Sequence, residues 1–417
     1  MFLPDLVVRS RRTVLAGAIR PAALHIRHGK IIGVMDFDDV PEGCPLDDAR
    51  STVVMPGAVD THVHVNEPSR TEGEGFAAAT RAAAAGGVTT IVDVAATTTA
   101  AALVQKHKAA EGRCFVDVGL WGGLVPGNVA DLEPLVAAGV RGFKCALAPS
   151  SVDGFPAVTE TELRTAMPVV AKLGARLLVH AELPGPIERA ADASRASRGW
   201  LSRLAGSTFA SRKYATYLAT RPKEAENEGI ALAINLCREY RVRTHILHLS
   251  SSDALTPLYH ARASRLPISV ETCPHYLTFV AEEIPDGATA FRCDPPIRER
   301  ENREYLWASL AGGLIQMVVS DHPHVSTLEH SLAATWSEAR ARGYSLSQLV
   351  EWMCRAPARL AGLDRKGTID VGFDADLAIW SPEANVVERT YLRGMCIYER
   401  GKPIGTPVGQ LVAGRTD

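Results

Sequence analysis

Val53-Val54-Met55-Pro56-Gly57-Ala58-Val59 runs directly into Asp60-Thr61-His62-Val63-His64, an apolar stretch ending in two histidines one residue apart. A short apolar run of this kind reads as a buried strand. Seven more follow it: Thr90–Ala95, Val116–Trp121, Gly142–Leu147, Arg176–His180, Thr244–Leu249, Ile268–Thr272 and Ile315–Ser320. Between most of them lie longer Ala- and Leu-rich stretches. Residues 224–240 are an example, with Ile230, Ala233, Ile234 and Cys237 on one helical face. Eight strand-then-helix units, Val53–Val59 the first of them, predict an α/β fold in the form of a (β/α)8 TIM-like barrel. A doubly wound open sheet is the rival, weakened because no G-x-G-x-x-G phosphate loop follows the first strand.

The chain ends differ from this middle. Asp5–Val8, Ala23–Arg27 and Lys30–Val34 read as short strands, as do Asp376–Trp380, Glu388–Leu392 and Met395–Tyr398. The two ends are expected to pair into one small β-sandwich, residues 1–53 with 366–417, outside a barrel of residues 54–365. A chain of 417 residues is long enough for both.

Composition narrows the function classes. With 46% hydrophobic and 22% charged residues the chain reads as a soluble globular protein. A net charge of −2 gives no general attraction to nucleic acid or anionic membrane. No run of 18 apolar residues is present, so no transmembrane span is expected. The eight cysteines are scattered without a C-x-x-C pair, which predicts reduced thiols in a cytoplasmic protein. Ser10-Arg11-Arg12-Thr13-Val14-Leu15 resembles a twin-arginine export signal. Arg20, Pro21, Arg27 and His28 interrupt the apolar segment such a signal needs, and a β-hairpin is the expected structure.

In a barrel of this kind, chemistry gathers where the strands end. His62 and His64, two apart on a strand, share a face and suit zinc or a similar cation; packed or surface histidines are the alternative. The fourth run carries Lys144, the fifth ends His180-Ala181-Glu182, and the eighth ends Ser320-Asp321-His322. His245 and His248 in the sixth are three apart and point to opposite faces. His248, nearer the strand end, is the better ligand, and His245 is placed behind it or outward. Four histidines, one lysine and one aspartate thus meet at five strand ends.

An ammonium has no lone pair for a metal. Lys144 is therefore either a salt-bridged lysine or one whose neutral amine takes up carbon dioxide as a carbamate, N6-carboxylysine. A carbamate bridges two divalent cations: His62, His64 and Asp321 would complete one, His180 and His248 the other. Zinc is the first expectation, with cobalt, manganese or iron as alternatives. Paired cations lower the pKa of water and polarise a carbonyl. Asp321 is then a ligand only, or also the group that moves a proton to a leaving amide nitrogen.

These residues resemble the pattern of the cyclic amidohydrolases, the family of dihydroorotases, hydantoinases and allantoinases. The resemblance runs from Asp5-Leu6-Val7-Val8 to Leu392-Arg393-Gly394. It implies a barrel with a small β-sandwich and a carboxylated lysine between two metals, with those roles on His62, His64, Lys144, His180, His248 and Asp321. It also implies a small cyclic ureide as substrate and a homo-oligomer, tetramer or dimer. Within the family the similarity is greatest to allantoinases, on Glu67-Pro68-Ser69-Arg70-Thr71, Gly142-Phe143-Lys144-Cys145, Ser151-Val152-Asp153-Gly154-Phe155-Pro156, Glu271-Thr272-Cys273-Pro274-His275-Tyr276 and Pro295-Pro296-Ile297-Arg298. That implies opening of allantoin to allantoate. Another cyclic ureide (a hydantoin, a dihydropyrimidine or a dihydroorotate-like ring) is the alternative, as is a non-catalytic member acting in assembly, although no ligand is lost here.

Asn66 stands where dihydroorotases carry an arginine, and Val94-Ala95-Ala96-Thr97 lacks their asparagine, so a substrate carboxylate would lose its partners. Pro149 replaces the tyrosine usual in hydantoinases. Against allantoinases, the segment Pro323–Leu328 is short, Gly73 replaces a tryptophan, Thr97-Thr98-Thr99 replaces an asparagine-containing loop, the segment near Asn385–Arg389 is abbreviated, and Asp294 stands where a small neutral residue is usual. The ligand set is complete while the pocket wall is altered, a pattern that a larger or different cyclic ureide would fit. Asn66, His275, Cys293, Asp294 and Arg298 are the expected substrate contacts. His275 and Arg298 either orient substrate or support the barrel mouth, and Cys293 and Asp294 offer backbone groups. Glu182 and Glu67 either hold histidine tautomers or simply pack.

Overall fold

A computed structural model describes residues 3–68, 74–94, 97–149, 156–197, 213–322 and 328–414. The amino end forms β1 (Leu6–Leu15), β2 (Ala18–Arg27), β3 (Lys30–Met35), β4 (Leu46–Asp48) and β5 (Val53–Pro56). The middle forms β6 (Ala58–Val63), β7 (Val88–Asp93), β8 (Asp117–Leu120) continued by β9 (Gly122–Gly123), β10 (Phe143–Ala146), β11 (Arg176–His180), β12 (Arg243–Ile246), β13 (Ile268–Thr272) and β14 (Met317–Val318). The carboxyl end adds β15 (Leu377–Ser381), β16 (Val386–Leu392), β17 (Met395–Glu399) and β18 (Lys402–Pro403).

Strands β6 to β14 pair in chain order and in parallel. Strands β8 and β9 are one run interrupted at Trp121. The ring closes where His64 N donates to His322 O at 3.0 Å beside the Val63–His322 bridge. Eight parallel positions with helices between them make the expected barrel.

The run Val53–Val59 is not one strand, as the sequence suggested. Its first half, β5, pairs with β1 and β15 in the sheet built from the chain ends, and only the second half enters the barrel. Both halves are fully buried, so hydrophobicity could not separate them. The handover falls at Gly57, where a Cβ would lie 2.3 Å from the Thr89 side chain. The boundary expected between residues 53 and 54 therefore lies inside β5.

The last residues also depart from expectation. Val118 N donates to Gln410 O and Val412 N to Val118 O, both at 2.9 Å, so the tail lies along β8 rather than in the end sheet. The end sheet has the order β18-β17-β16-β15-β5-β1-β2-β3, with β4 on β1. Val8, Leu24, Ile26, Val54, Leu377 and Ile379 form its own apolar cluster. The twin-arginine-like stretch is part of β1, in a hairpin with β2.

Helix Lys223–Tyr240 buries Ile230, Ala233, Ile234 and Cys237, as its spacing predicted. A Cβ on its Gly229 would lie 2.3 Å from Ala181 O, so the helix packs backbone-close against the end of β11. All eight cysteines are free thiols. Among the described residues no helix is long and apolar enough to cross a membrane.

A buried ion cluster docks the end sheet to the barrel. Lys366 Nζ lies 2.6 Å from Asp376 and 2.8 Å from Asp117, and Arg393 Nη1 lies 2.6 and 2.5 Å from the two oxygens of Asp117. Burial works to lower the Lys366 ammonium pKa, but Asp376 and Asp117 outweigh it and hold it above its usual value. Removing one charge from such a cluster strands the others. Asp117→Asn is expected to cost about 3–5 kcal/mol, read as a lower urea midpoint; an unchanged midpoint would show that the cluster does not dock the sheet.

Candidate metal centre

His62, next to the end of β6, has no solvent exposure, and its Nδ1 lies 2.6 Å from Glu271 Oε1. An ionised carboxylate only accepts, so the ring proton sits on Nδ1 and the lone pair is left on Nε2. That Nε2 faces Asp321 Oδ1 at 3.2 Å, and His64 Nε2 lies 3.5 Å from the same oxygen. One ligand atom from each of His62, His64 and Asp321 falls within 4.8 Å of the others. Burial pushes the His62 imidazole pKa down against the pull of Asp321 and Glu271, which favours the neutral ring. Glu271 is the reverse case. Burial would raise its carboxyl, but His62 and His245 and their hydrogen bonds hold it at about 2.

The second half lies across the mouth. His180 Nε2 is 3.3 Å from Glu182 Oε2, which leaves its Nδ1 directed at His248 Nε2, 2.9 Å away. The His248 ring is 5.3 Å from that of His62, so the two halves are contiguous. Burial, and then His180, push the His248 imidazole pKa well down. Among the described residues neither His62 Nε2 nor His248 Nδ1 makes a hydrogen bond. The nitrogens of His62 and His64 that face the buried Asp321 carboxylate fit a divalent cation. Lys144, 3% exposed at β10, stands close enough for its charge to act on His62. All six residues expected at five strand ends are thus brought to one mouth.

Two of them sit on strained backbone. His248 has φ 36° and Asp321 φ 52°, the left-handed region that non-glycine residues rarely adopt. Such residues cost about 1–3 kcal/mol each and cluster at functional sites. The turn at His248 also explains why counting along an ideal strand was insufficient: β12 has ended at Ile246, and the backbone re-aims the ring. His245 stays in the strand, and its Nε2 lies 2.9 Å from Glu271 Oε2, behind His62.

The expected substrate contacts fall into two groups. His275 is fully buried, with one ligand atom within 4.8 Å of Cys273 Sγ and an Asp321 oxygen, a grouping that sequence did not foresee. Asn66 is half-buried directly after Val65, whose backbone is held by Asp93 at 3.0 Å and Lys106 at 2.9 Å. The others turn toward protein. Cys293 O lies 2.6 Å from the Tyr217 hydroxyl, and Asp294 Oδ1 lies 2.8 Å from Arg221 Nε. Arg298 Nη1 donates to Arg221 O at 2.7 Å, in support of the mouth.

Glu182 meets His180, as expected. Glu67 does not meet a histidine; it accepts from Phe76 N at 3.0 Å and pairs with Arg113 at 2.9 Å, because it lies beside a helix start and a nearby guanidinium. Glu271 is the residue that sequence reading missed. A glutamate inside the apolar run Ile268–Thr272 was the available signal, since a buried glutamate is almost always paired. Gly73, Ala95, Ala96, residues 69–71, residues 151–155 and residues 323–327, on which several resemblances rested, lie outside the described residues.

Histidines and a carboxylate gathered at the carboxyl-terminal mouth of a closed parallel barrel make the donor set of a divalent-cation site in a barrel enzyme. The sequence profile of the amidohydrolase family matches residues 53–412, and the chain belongs to that family. It is 42% identical to an allantoinase of Streptomyces avermitilis, covering 98% of each chain. It is 35% identical to the allantoinase of Saccharomyces cerevisiae, again over 98% of each. Among solved structures, the L-hydantoinase (dihydropyrimidinase) from Arthrobacter aurescens matches with a TM-score of 0.88 and 30% identity, covering 99% of this chain and all of that one. The alignment to the Streptomyces protein spans 455 positions against a chain of 417, so that relative carries segments this chain lacks. The family implies use of a divalent metal, and His62, His64 and Asp321 form a group able to hold one.

Glu271→Gln should weaken cation retention roughly 10–100-fold, measured by competition with a chelator. Wild-type retention would remove Glu271 from the support of His62.

Proposed function

We propose that this chain opens a cyclic ureide by hydrolysis, with allantoin as substrate and allantoate as product, at a pair of divalent cations bridged by a carboxylated Lys144. The observation that carries the reading is the geometry of the mouth. His62 and His64 face the Asp321 carboxylate on one side, while His180 Nδ1 and His248 Nε2 face each other at 2.9 Å on the other. His62, His64 and Asp321 would hold one cation and His180 and His248 the other, and Lys144, once carboxylated, would supply further oxygen donors. Zinc suits this nitrogen- and oxygen-rich set, with cobalt, manganese or iron as substitutes. When bound, the cations supply a lowered pKa for water and a polarised ring carbonyl.

The chain's own residues do the rest. Asp321 takes the proton of the attacking water and delivers it to the ring nitrogen as the carbon–nitrogen bond breaks and the carbon–oxygen bond forms. His275, beside Asp321, orients the ring. Asn66 lines it, and Cys293 and Asp294, whose carbonyl and side chain are engaged by Tyr217 and Arg221, offer it their backbone N–H groups. A neutral ureide needs no cation in the pocket, in keeping with Asn66 where a carboxylate substrate would require an arginine. The allantoinase relatives support allantoin in particular. The match to the Arthrobacter L-hydantoinase favours hydantoins and dihydropyrimidines as a second substrate class. Eight free thiols support a cytoplasmic setting, and the family resemblance supports a homo-oligomer, dimer or tetramer. No nucleic-acid or membrane partner is proposed, in keeping with the net charge of −2.

Lys144→Ala is expected to abolish metal loading on both sides, with partial rescue by a short-chain carboxylic acid; full metal content in that variant would refute the bridge. Asp321→Asn should lose most turnover with less loss of metal, and equal activity would exclude its proton transfer. Protein supplied with zinc, cobalt or manganese and bicarbonate is expected to turn over allantoin in a panel of hydantoins, dihydropyrimidines and ureides. Inactivity on the whole panel would sink the reading.

A further inference from the structure

Arg221 follows helix Tyr214–Thr220 and precedes Pro222, which opens helix Lys223–Tyr240. Its Nη1 lies 2.7 Å from Glu182 Oε2, the oxygen that is 3.3 Å from His180 Nε2. Its Nε lies 2.8 Å from Asp294 Oδ1. The Tyr217 hydroxyl, one turn earlier, lies 2.7 Å from the same Asp294 oxygen and 2.6 Å from Cys293 O. The Arg221 carbonyl accepts from Arg298 Nη1 at 2.7 Å. The Glu182 side chain has no exposure, and those of Arg221 and Asp294 keep only 15% and 12%. In so little solvent, charge pairs of this geometry hold their partners firmly.

We propose that Arg221 is a positioning residue that serves both halves of the site at once. Through Glu182 it fixes the ring of His180, so that Nδ1 stays aimed at His248. Through Asp294 it holds the Cys293–Asp294 segment, whose backbone N–H groups face the ring in the function proposed above; the inference rests on that reading. Two carboxylates from different elements are reached by separate N–H groups of one planar guanidinium, which an ammonium does not reproduce. Asp294, standing where the family resemblance expects a small neutral residue, supplies the second carboxylate. Cation retention at His180 and His248 and the affinity for substrate are thereby tied to a single side chain.

The test uses holoenzyme and reads metal per chain after timed exposure to a chelator, together with kcat and KM. Arg221→Gln is expected to release the metal at His180 and His248 about 10–100 times more readily than wild type and to raise KM. Asp294→Asn is expected to raise KM about tenfold while keeping both metals, an expectation in line with loss of a charge-assisted contact. Arg221→Lys keeps the charge but reaches one carboxylate only, so it should lose one of the two properties and keep the other. Melting curves identify any variant that fails to fold; should Arg221→Gln fail, the lysine and Asp294 variants decide. Wild-type metal retention and KM in Arg221→Lys, or an unchanged KM in Asp294→Asn, would overturn the proposal. Metal retention is read without substrate, so a wrong substrate leaves that arm intact. A wild-type protein that binds no metal would instead defeat the reading of the centre on which the proposal rests.

Discussion

The hydrogen bond between His62 Nδ1 and Glu271 Oε1, 2.6 Å long and sealed from solvent, sets the terms for everything at the barrel mouth. It decides which nitrogen of His62 is protonated, and so which one is free to face Asp321. It also gives a fully buried carboxylate the partners it must have. The same glutamate accepts from His245 and, at 3.3 Å, from the His248 backbone, so one side chain of β13 organises residues from β6, from β12 and from the turn after it.

That arrangement needs a closed barrel. Asp60 accepts from Ser320 N at 3.1 Å and from His62 N at 3.1 Å, stitching β6 to the end of the last strand where Asp321 follows. Burial pushes the Asp60 carboxyl up to about 6 even so. The strained turns at His248 and Asp321 persist because closure and packing hold them from both sides. On the opposite rim, Glu182, Arg221 and Asp294 do for His180 what Glu271 does for His62, with a guanidinium between two carboxylates in place of a carboxylate between two imidazoles.

The barrel strands were legible because each is a short apolar run, and the helices because their buried residues repeat at helical spacing. The candidate ligands were legible because they stand at strand ends, where a parallel barrel gathers its chemistry. The place of His248 near a strand end is legible, but its direction comes from a left-handed turn that no spacing rule contains. Cys293 and Asp294 are legible as residues after a strand end, but not their polar partners Tyr217 and Arg221, which come from a helix and the residue just after it, more than seventy positions earlier in the chain.

By itself the sequence determined the strand–helix alternation, the pairing of the chain ends and the set of metal-seeking side chains, since each is written in local composition and period. Tertiary structure alone decided that Val53–Pro56 leaves the barrel for the end sheet, that the tail returns to β8, and which carboxylate orients each imidazole. The physical reason is distance along the chain. His62 and Glu271 are separated by 209 positions, and a hydrogen bond across that interval leaves no trace in the residues beside either one until the barrel closes and brings the two strands together.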